Sequence, residues 1–157
     1  MKIRMTFVLI SAMAAFGGNQ AAKAPFTIEI STDRPAVKAG SEVSIKVHLT
    51  NTSKRVLDCS GTISNMTGVD PNYVFEVRDD ANRAVPLRVY EHPGLATGQP
   101  ISRSLKPGES FTDDQEVSRL IDMSRPGNYV IQVSRRASEN KKDGVVKSNI
   151  ITVRITP

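Results

Sequence analysis

The sequence predicts an all-β fold, a single antiparallel β-sandwich of about seven to eight strands. Three observations carry that prediction. Pro-Gly turns stand before two extended runs, in Leu105-Lys-Pro-Gly-Glu-Ser110 and in Asp122-Met-Ser-Arg-Pro-Gly-Asn-Tyr129. Apolar residues recur at every second position, as in Val43, Ile45, Val47 and Leu49 against Ser44, Lys46 and His48, which is the inside-outside pattern of a half-buried strand. Turn signals recur about every 8 to 12 residues with no long helical period between them, the punctuation of a sandwich or barrel.

The elements follow in order. Phe26, Ile28 and Ile30 alternate with Thr27 and Glu29 in a first strand, and Asp33-Arg-Pro and Lys38-Ala-Gly-Ser41 read as turns before the strand at Val43–Leu49. After Asn51-Thr-Ser-Lys-Arg55 a weaker strand covers Val56 to Ile63, and Gly68-Val-Asp-Pro71 turns the chain into the alternating Tyr73, Phe75 and Val77. Asp79-Asp-Ala-Asn-Arg83 makes a hairpin tip. Val85 to Tyr90 returns as an edge strand, because Pro86 cannot donate to a ladder. Glu91 to Pro100 is the longest irregular stretch. Strands at Phe111–Val117, Asn128–Arg136 and Ser148–Thr156 complete the set, with one helical turn near Arg119 to Asp122 and a polar loop from Ala137 to Gly144.

The N-terminus reads as an address. Lys2 and Arg4 precede an apolar run from Met5 to Phe16, and small and polar residues follow to Ala24, the layout of a secretory signal peptide. A bilayer span takes roughly 18 to 20 apolar residues, and this run is shorter. Residues 1–24 are therefore expected to be a cleaved leader, cut after Gly17, Ala21 or Ala24, and residues 25–157 one exported domain, periplasmic or extracellular. The full chain has 21 Lys+Arg against 16 Asp+Glu; with Lys2, Arg4 and Lys23 in the leader region, 18 face 16, a net of +2. With aromatic content at 5% and the charges interleaved, a nucleic-acid partner is not expected. Cys59 is the one cysteine, so no intramolecular disulfide forms, and the thiol is either a small buried hydrophobe or an intermolecular link.

Tyr129, just after Pro126-Gly127, is either a tyrosine corner bonding back to upstream backbone or an ordinary core tyrosine. There is no tryptophan and no cysteine pair, so the domain is Ig-like in architecture only. The succession Leu49-Thr-Asn-Thr-Ser53, Phe75-Glu-Val-Arg-Asp79, Leu105-Lys-Pro-Gly-Glu109 and Arg125-Pro-Gly-Asn-Tyr129 resembles bacterial Ig-like domains. It is similar to the intracellular proteinase inhibitor family and to the β-sandwich segment preceding some secreted metalloproteases. The resemblance covers about Val43 to Val133 and implies the sandwich fold and, for the inhibitor family, protease inhibition.

The catalytic inventory is thin. His48 lies on the polar side of its strand and His92 in the long loop, and neither belongs to a metal-binding pair. No Gly-x-Ser-x-Gly elbow or phosphate-binding glycine loop occurs. Asp113, Asp114 and Glu116, and likewise Asp79 and Asp80, lack the spacing of a calcium loop and read as solvated faces. Asn51-Thr-Ser53 and Asn65-Met-Thr67 match the glycosylation triplet by chance. No cofactor or metal is expected. The expected function is non-catalytic: a binding or structural module that meets another envelope or secreted protein through loops at one end of the sandwich. The alternative is a protease inhibitor acting through residues 91–103. The candidate contact residues are His92, Pro93, Gly94, Gln99 and Arg103 in or after the long loop, and Arg136, Lys141 and Lys142 of a basic hairpin tip that also holds Arg135 and reads most simply as a solvated turn.

Overall fold

The computed structural model describes residues 24–64, 67–88, 98–137 and 144–157; residues 1–23 of the leader region lie outside them. In chain order the strands are β1 (Phe26–Ser31), β2 (Ala36–Lys38), β3 (Ser44–Asn51), β4 (Leu57–Asp58), β5 (Gly61–Ser64) and β6 (Tyr73–Arg78). Then come β7 (Gly98–Ile101), β8 (Ser104–Leu105), β9 (Ser110–Glu116), the single turn of helix α1 (Val117–Leu120), β10 (Gly127–Arg136) and β11 (Val145–Thr156).

Seven of these strands make two layers, one in the order β1-β3-β9 and the other β2-β11-β10-β6. Alternation decides what each layer buries. Ile28 and Ile30 lie opposite Leu49 and Val47 across β1 and β3, while Ile131 and Val133 lie opposite Val77 and Phe75 across β10 and β6. These side chains close the core together with Ile45, Tyr129, Val153 and Ile155. All pairings in the two layers are antiparallel except one: β2 runs parallel to the end of β11, with Val37 opposite Ile155. The N-terminal segment thus serves both layers, β1 in one and β2 in the other. Of the residues read as turns here, Lys38 closes the added strand, whose Ala36 and Val37 lie between the two turns.

The turn chemistry is as expected. Gly108 sits at φ +81 after Pro107, and the Glu109 N–H donates to the Lys106 carbonyl, the arrangement in which only glycine avoids strain at the third position. Buried Asn51 fastens this turn. Its backbone N–H donates to Glu109 O and its Nδ2 to the carbonyls of Leu105 and Arg55. An asparagine so enclosed is a structural strut, consistent with a chance glycosylation triplet.

Several elements differ from the sequence expectation. The weak strand at Val56–Ile63 is two short pieces, β4 and β5, pairing with β8 and β7. Both ladders share one register, and the Cys59 N–H to Arg103 carbonyl bond links them, so they form one interrupted ribbon. Residues 98–101, taken as loop, are therefore strand. The expected edge strand at Val85–Tyr90 is reduced, over its described residues, to bonds such as Val85 N–H to Val77 O and the isolated Leu87–Ile121 bridge; Pro86 interrupts any ladder there. The helical turn starts two residues earlier than expected, at Val117.

Candidate functional site

Strand parity puts polar residues inside the sandwich near one edge. On β9, Phe111, Asp113 and Gln115 share the parity that faces the core, opposite Leu49, Val47 and Ile45. On β10, Arg135 shares the parity of Tyr129, Ile131 and Val133 and is 9% exposed. A charge in that position needs partners. Asp70, from the turn before β6, is 4% exposed and brings its Oδ2 to 3.9 Å from Arg135 Nη1, too far for a hydrogen bond. Asp70 Oδ1 accepts the backbone and side-chain N–H groups of Asn72, both at 2.9 Å, and the Asp70 N–H donates to Gln115 Oε1 at 3.0 Å. The guanidinium of Arg135 stands 5.4 Å from the Tyr73 ring. Arg135 Nη1 and the Tyr73 hydroxyl are both buried without a hydrogen-bond partner, which makes them unused polar groups in the interior.

A second ion pair flanks the first. Arg103 Nη1 donates to Asp113 Oδ2 at 2.8 Å, and its guanidinium lies 3.9 Å above the Phe111 ring. The hydrogen bond to Asp113 raises the Arg103 pKa. Asp113 is thus an inward ion-pair partner, a correction to the solvated-face reading, while Asp114 on the opposite parity stays exposed beside Lys46.

Cys59 lies at the ribbon's interruption, 4% exposed, which is the buried-thiol alternative. Burial pushes its thiol up, against a weaker pull from Arg135. Burial likewise raises the Tyr73 phenol to about 12. A protonated thiol and a neutral phenol are poor nucleophiles at neutral pH. The cluster is sealed, with Tyr73, Asp70 and Arg135 3%, 4% and 9% exposed, so its cation and phenol belong to the interior.

Of these residues, Cys59 and Arg135 border a concavity of about 1020 Å³ at the end of the sandwich. Its walls are residues 57–60, the turn at Pro71–Asn72, and the strand ends carrying Arg135, Arg136 and Val145. A smaller hollow of about 470 Å³ lies between the Asp79–Arg83 tip and the start of β10. Its carboxylates are engaged. Asp79 accepts from the Ala81 and Arg83 N–H groups and pairs with the Arg83 side chain, and Asp80 accepts from the backbone and side chain of Asn128. Beside it the Tyr129 hydroxyl donates to the Arg125 carbonyl at 2.8 Å: the tyrosine corner is present. Among the described residues no cluster of His, Cys, Asp and Glu is arranged to hold a metal ion.

The predicted contact residues are dispersed. His92, Pro93, Gly94, Lys141 and Lys142 lie outside the described residues. Gln99 is exposed in β7, opposite Ile63. Arg103 is held by Asp113 and Phe111. Arg136 is exposed at the end of β10 and lines the large concavity. His48 sits on the outer face of its strand as expected, its Nδ1 2.9 Å from Thr112 Oγ1. The buried Asp70 and Tyr73 were missed, and Arg135, read as part of a solvated basic tip, is instead 9% exposed; one signal was legible, since Arg135 stands on the apolar parity of its strand.

No family profile matches the sequence, and no curated protein does. Among solved structures, the chain is similar to the β-D-glucoside glucohydrolase of Trichoderma reesei, with 14% sequence identity and a TM-score of 0.40. The likeness covers 85% of this chain and 19% of that one. No helix among the described residues is long and apolar enough to cross a membrane.

Proposed function

We propose that this chain is an exported, non-catalytic binding module that meets another envelope or secreted protein at the end of its sandwich. The observation that supports the reading is the concavity framed by residues 57–60, Pro71–Asn72 and Arg135–Arg136, which the exposed Arg136 lines. Loops and strand ends on a rigid sandwich are where such scaffolds carry contacts. Of the residues assigned to an inhibitory loop, 98–101 are held in a ladder and Arg103 in an ion pair. The inhibitor alternative therefore rests on residues 91–97.

The test is a cross-linking pull-down from the exporting cell's envelope and secreted fractions, run in parallel with Ser60→Trp and Asn72→Trp variants that crowd the concavity. A partner recovered at one-to-one stoichiometry by the parent and lost with both variants is the expected result, their folding being checked by circular dichroism. A partner retained by both variants places the contact elsewhere. A stoichiometric protease, inhibited by the parent, replaces the proposal with the inhibitor reading.

A further inference from the structure

The outward faces of the two layers carry opposite charge. On the β2-β11-β10-β6 layer, strand parity turns Lys38, Arg78, Arg136, Lys147 and Arg154 outward, with Glu76 the one carboxylate among the described residues of that face. Glu76 is shared between Arg78, at 2.7 Å, and Lys147, at 3.8 Å. Among the described residues, no ion pair engages Lys38, Arg136 or Arg154. The outer face of β1-β3-β9 carries Glu29, Asp114 and Glu116 against Lys46 and His48. A chain whose exported part is nearly balanced overall is therefore polarised across its thickness.

The cationic face is also apolar. Val74, Val130, Val145 and Ile150 point out of it and are 63%, 36%, 58% and 61% exposed. Interleaved aliphatics and cations on one sheet face suit a docking surface with a charge requirement. From these placements we infer that the outer face of β6, β10 and β11 docks a carboxylate-rich protein surface, one that sets acidic side chains against Arg136, Lys147 and Arg154 and aliphatics against Val130 and Ile150.

Side-chain type argues for a protein over a lipid surface. The exposed apolar residues of this face are valine and isoleucine, with none of the tryptophan, phenylalanine and leucine that seat an amphipathic surface in a headgroup layer. A protein surface has relief, and its carboxylates can meet the long cations while its apolar groups fill the gaps. Area argues for continuity with the end concavity. Strands of this length and spacing span roughly 30 Å by 15 to 20 Å, or about 500 Å², below the roughly 800 Å² per partner of a standard interface. The remainder is available where Val74, Arg136 and Val145 run from this face into the concavity. This inference rests on the binding-module reading and extends its contact from the concavity onto the adjoining sheet face.

The experiment titrates the purified full chain with a soluble peptide alternating glutamate and valine, followed by amide chemical shifts, at about 0.01 M and about 0.15 M salt. The expected result is a set of shifts confined to β6, β10 and β11. Affinity should fall with salt and weaken on the order of tenfold or more in Arg136→Glu/Lys147→Glu/Arg154→Glu. Val130→Ser/Ile150→Ser, which leaves every charge in place, is also expected to weaken binding. No binding at low salt, shifts on β1, β3 and β9 instead, or equal affinity of the charge-reversed protein would overturn the inference. Tighter binding to phosphatidylglycerol–phosphatidylethanolamine vesicles than to the peptide would overturn it in favour of a membrane surface. Ser60→Trp leaves this face intact, so loss of partner binding in that variant alone speaks to the concavity, and loss in the triple variant alone to the face.

Discussion

Replacing Asp70 by Asn removes a charge while preserving shape, and the amide oxygen can still accept the Asn72 N–H bonds now held by Oδ1. What is lost is the counter-ion 3.9 Å from Arg135 Nη1. At an effective dielectric near 20, two unit charges at that distance attract by about 4 kcal/mol. Both side chains are about nine-tenths buried or more, so solvent screening takes little from that figure, and breaking such a pair from one side costs about 3–5 kcal/mol. Asp70→Asn is therefore expected to destabilise by about 3 kcal/mol. Arg135→Met, which keeps the stem and drops the cation, should cost a similar amount. The double variant leaves no uncompensated charge and should be much less destabilised than the sum. Urea unfolding of the four proteins closes the cycle, with a coupling energy of at least about 2 kcal/mol expected and slopes unchanged. A coupling below about 0.5 kcal/mol, the scale of an exposed pair, would refute the claim that this ion pair is a buried one.

Three further outcomes follow from the same interior. Tyr129→Phe removes the hydroxyl bond to Arg125 O and should cost about 1 kcal/mol in urea unfolding; no loss would show the corner bond to be dispensable. The Tyr73 phenol, raised by burial to about 12, should be the last of the three tyrosines to ionise when phenolate absorbance is followed with pH. Because its folded value lies above the ordinary value of about 10, the folded protein keeps a proton that the unfolded chain releases. The contribution is thus fully present below about pH 10 and is lost as pH rises through about 12, so stability should fall across that window; flat stability there would contradict the burial of Tyr73. Cys59, buried and with its thiol pushed up, should alkylate in native buffer only as fast as the domain opens, and at once in urea. Fast native labelling would place the thiol outside.

The strands at Phe26–Ser31, Ser44–Asn51, Tyr73–Arg78 and Gly127–Arg136 were legible because each has one buried and one wet face, so alternation of side-chain polarity reports them directly. The Pro-Gly turns and the Asp79–Arg83 tip were legible for an equally local reason, the backbone angles that these residues permit. The ribbon of β4, β5, β7 and β8 was not. Gly98 and Pro100 carry no strand signal of their own, and they become strand because Ser64 and Thr62 lie opposite them. The edge at Val85–Tyr90 failed in the other sense, since good strand residues around Pro86 find only isolated bonds across its described part.

Residue type and spacing by themselves determined the all-β class, the order of the main strands and the place of the Pro-Gly turns. Each is a local property, settled by period, turn geometry or composition. Only the tertiary structure decided that Asp113 faces inward to Arg103, that Asp70 comes to Arg135, and that five cations gather on one outer face. Ion pairing and surface charge depend on which strands become neighbours, and pairing across many intervening residues leaves no mark in the local pattern.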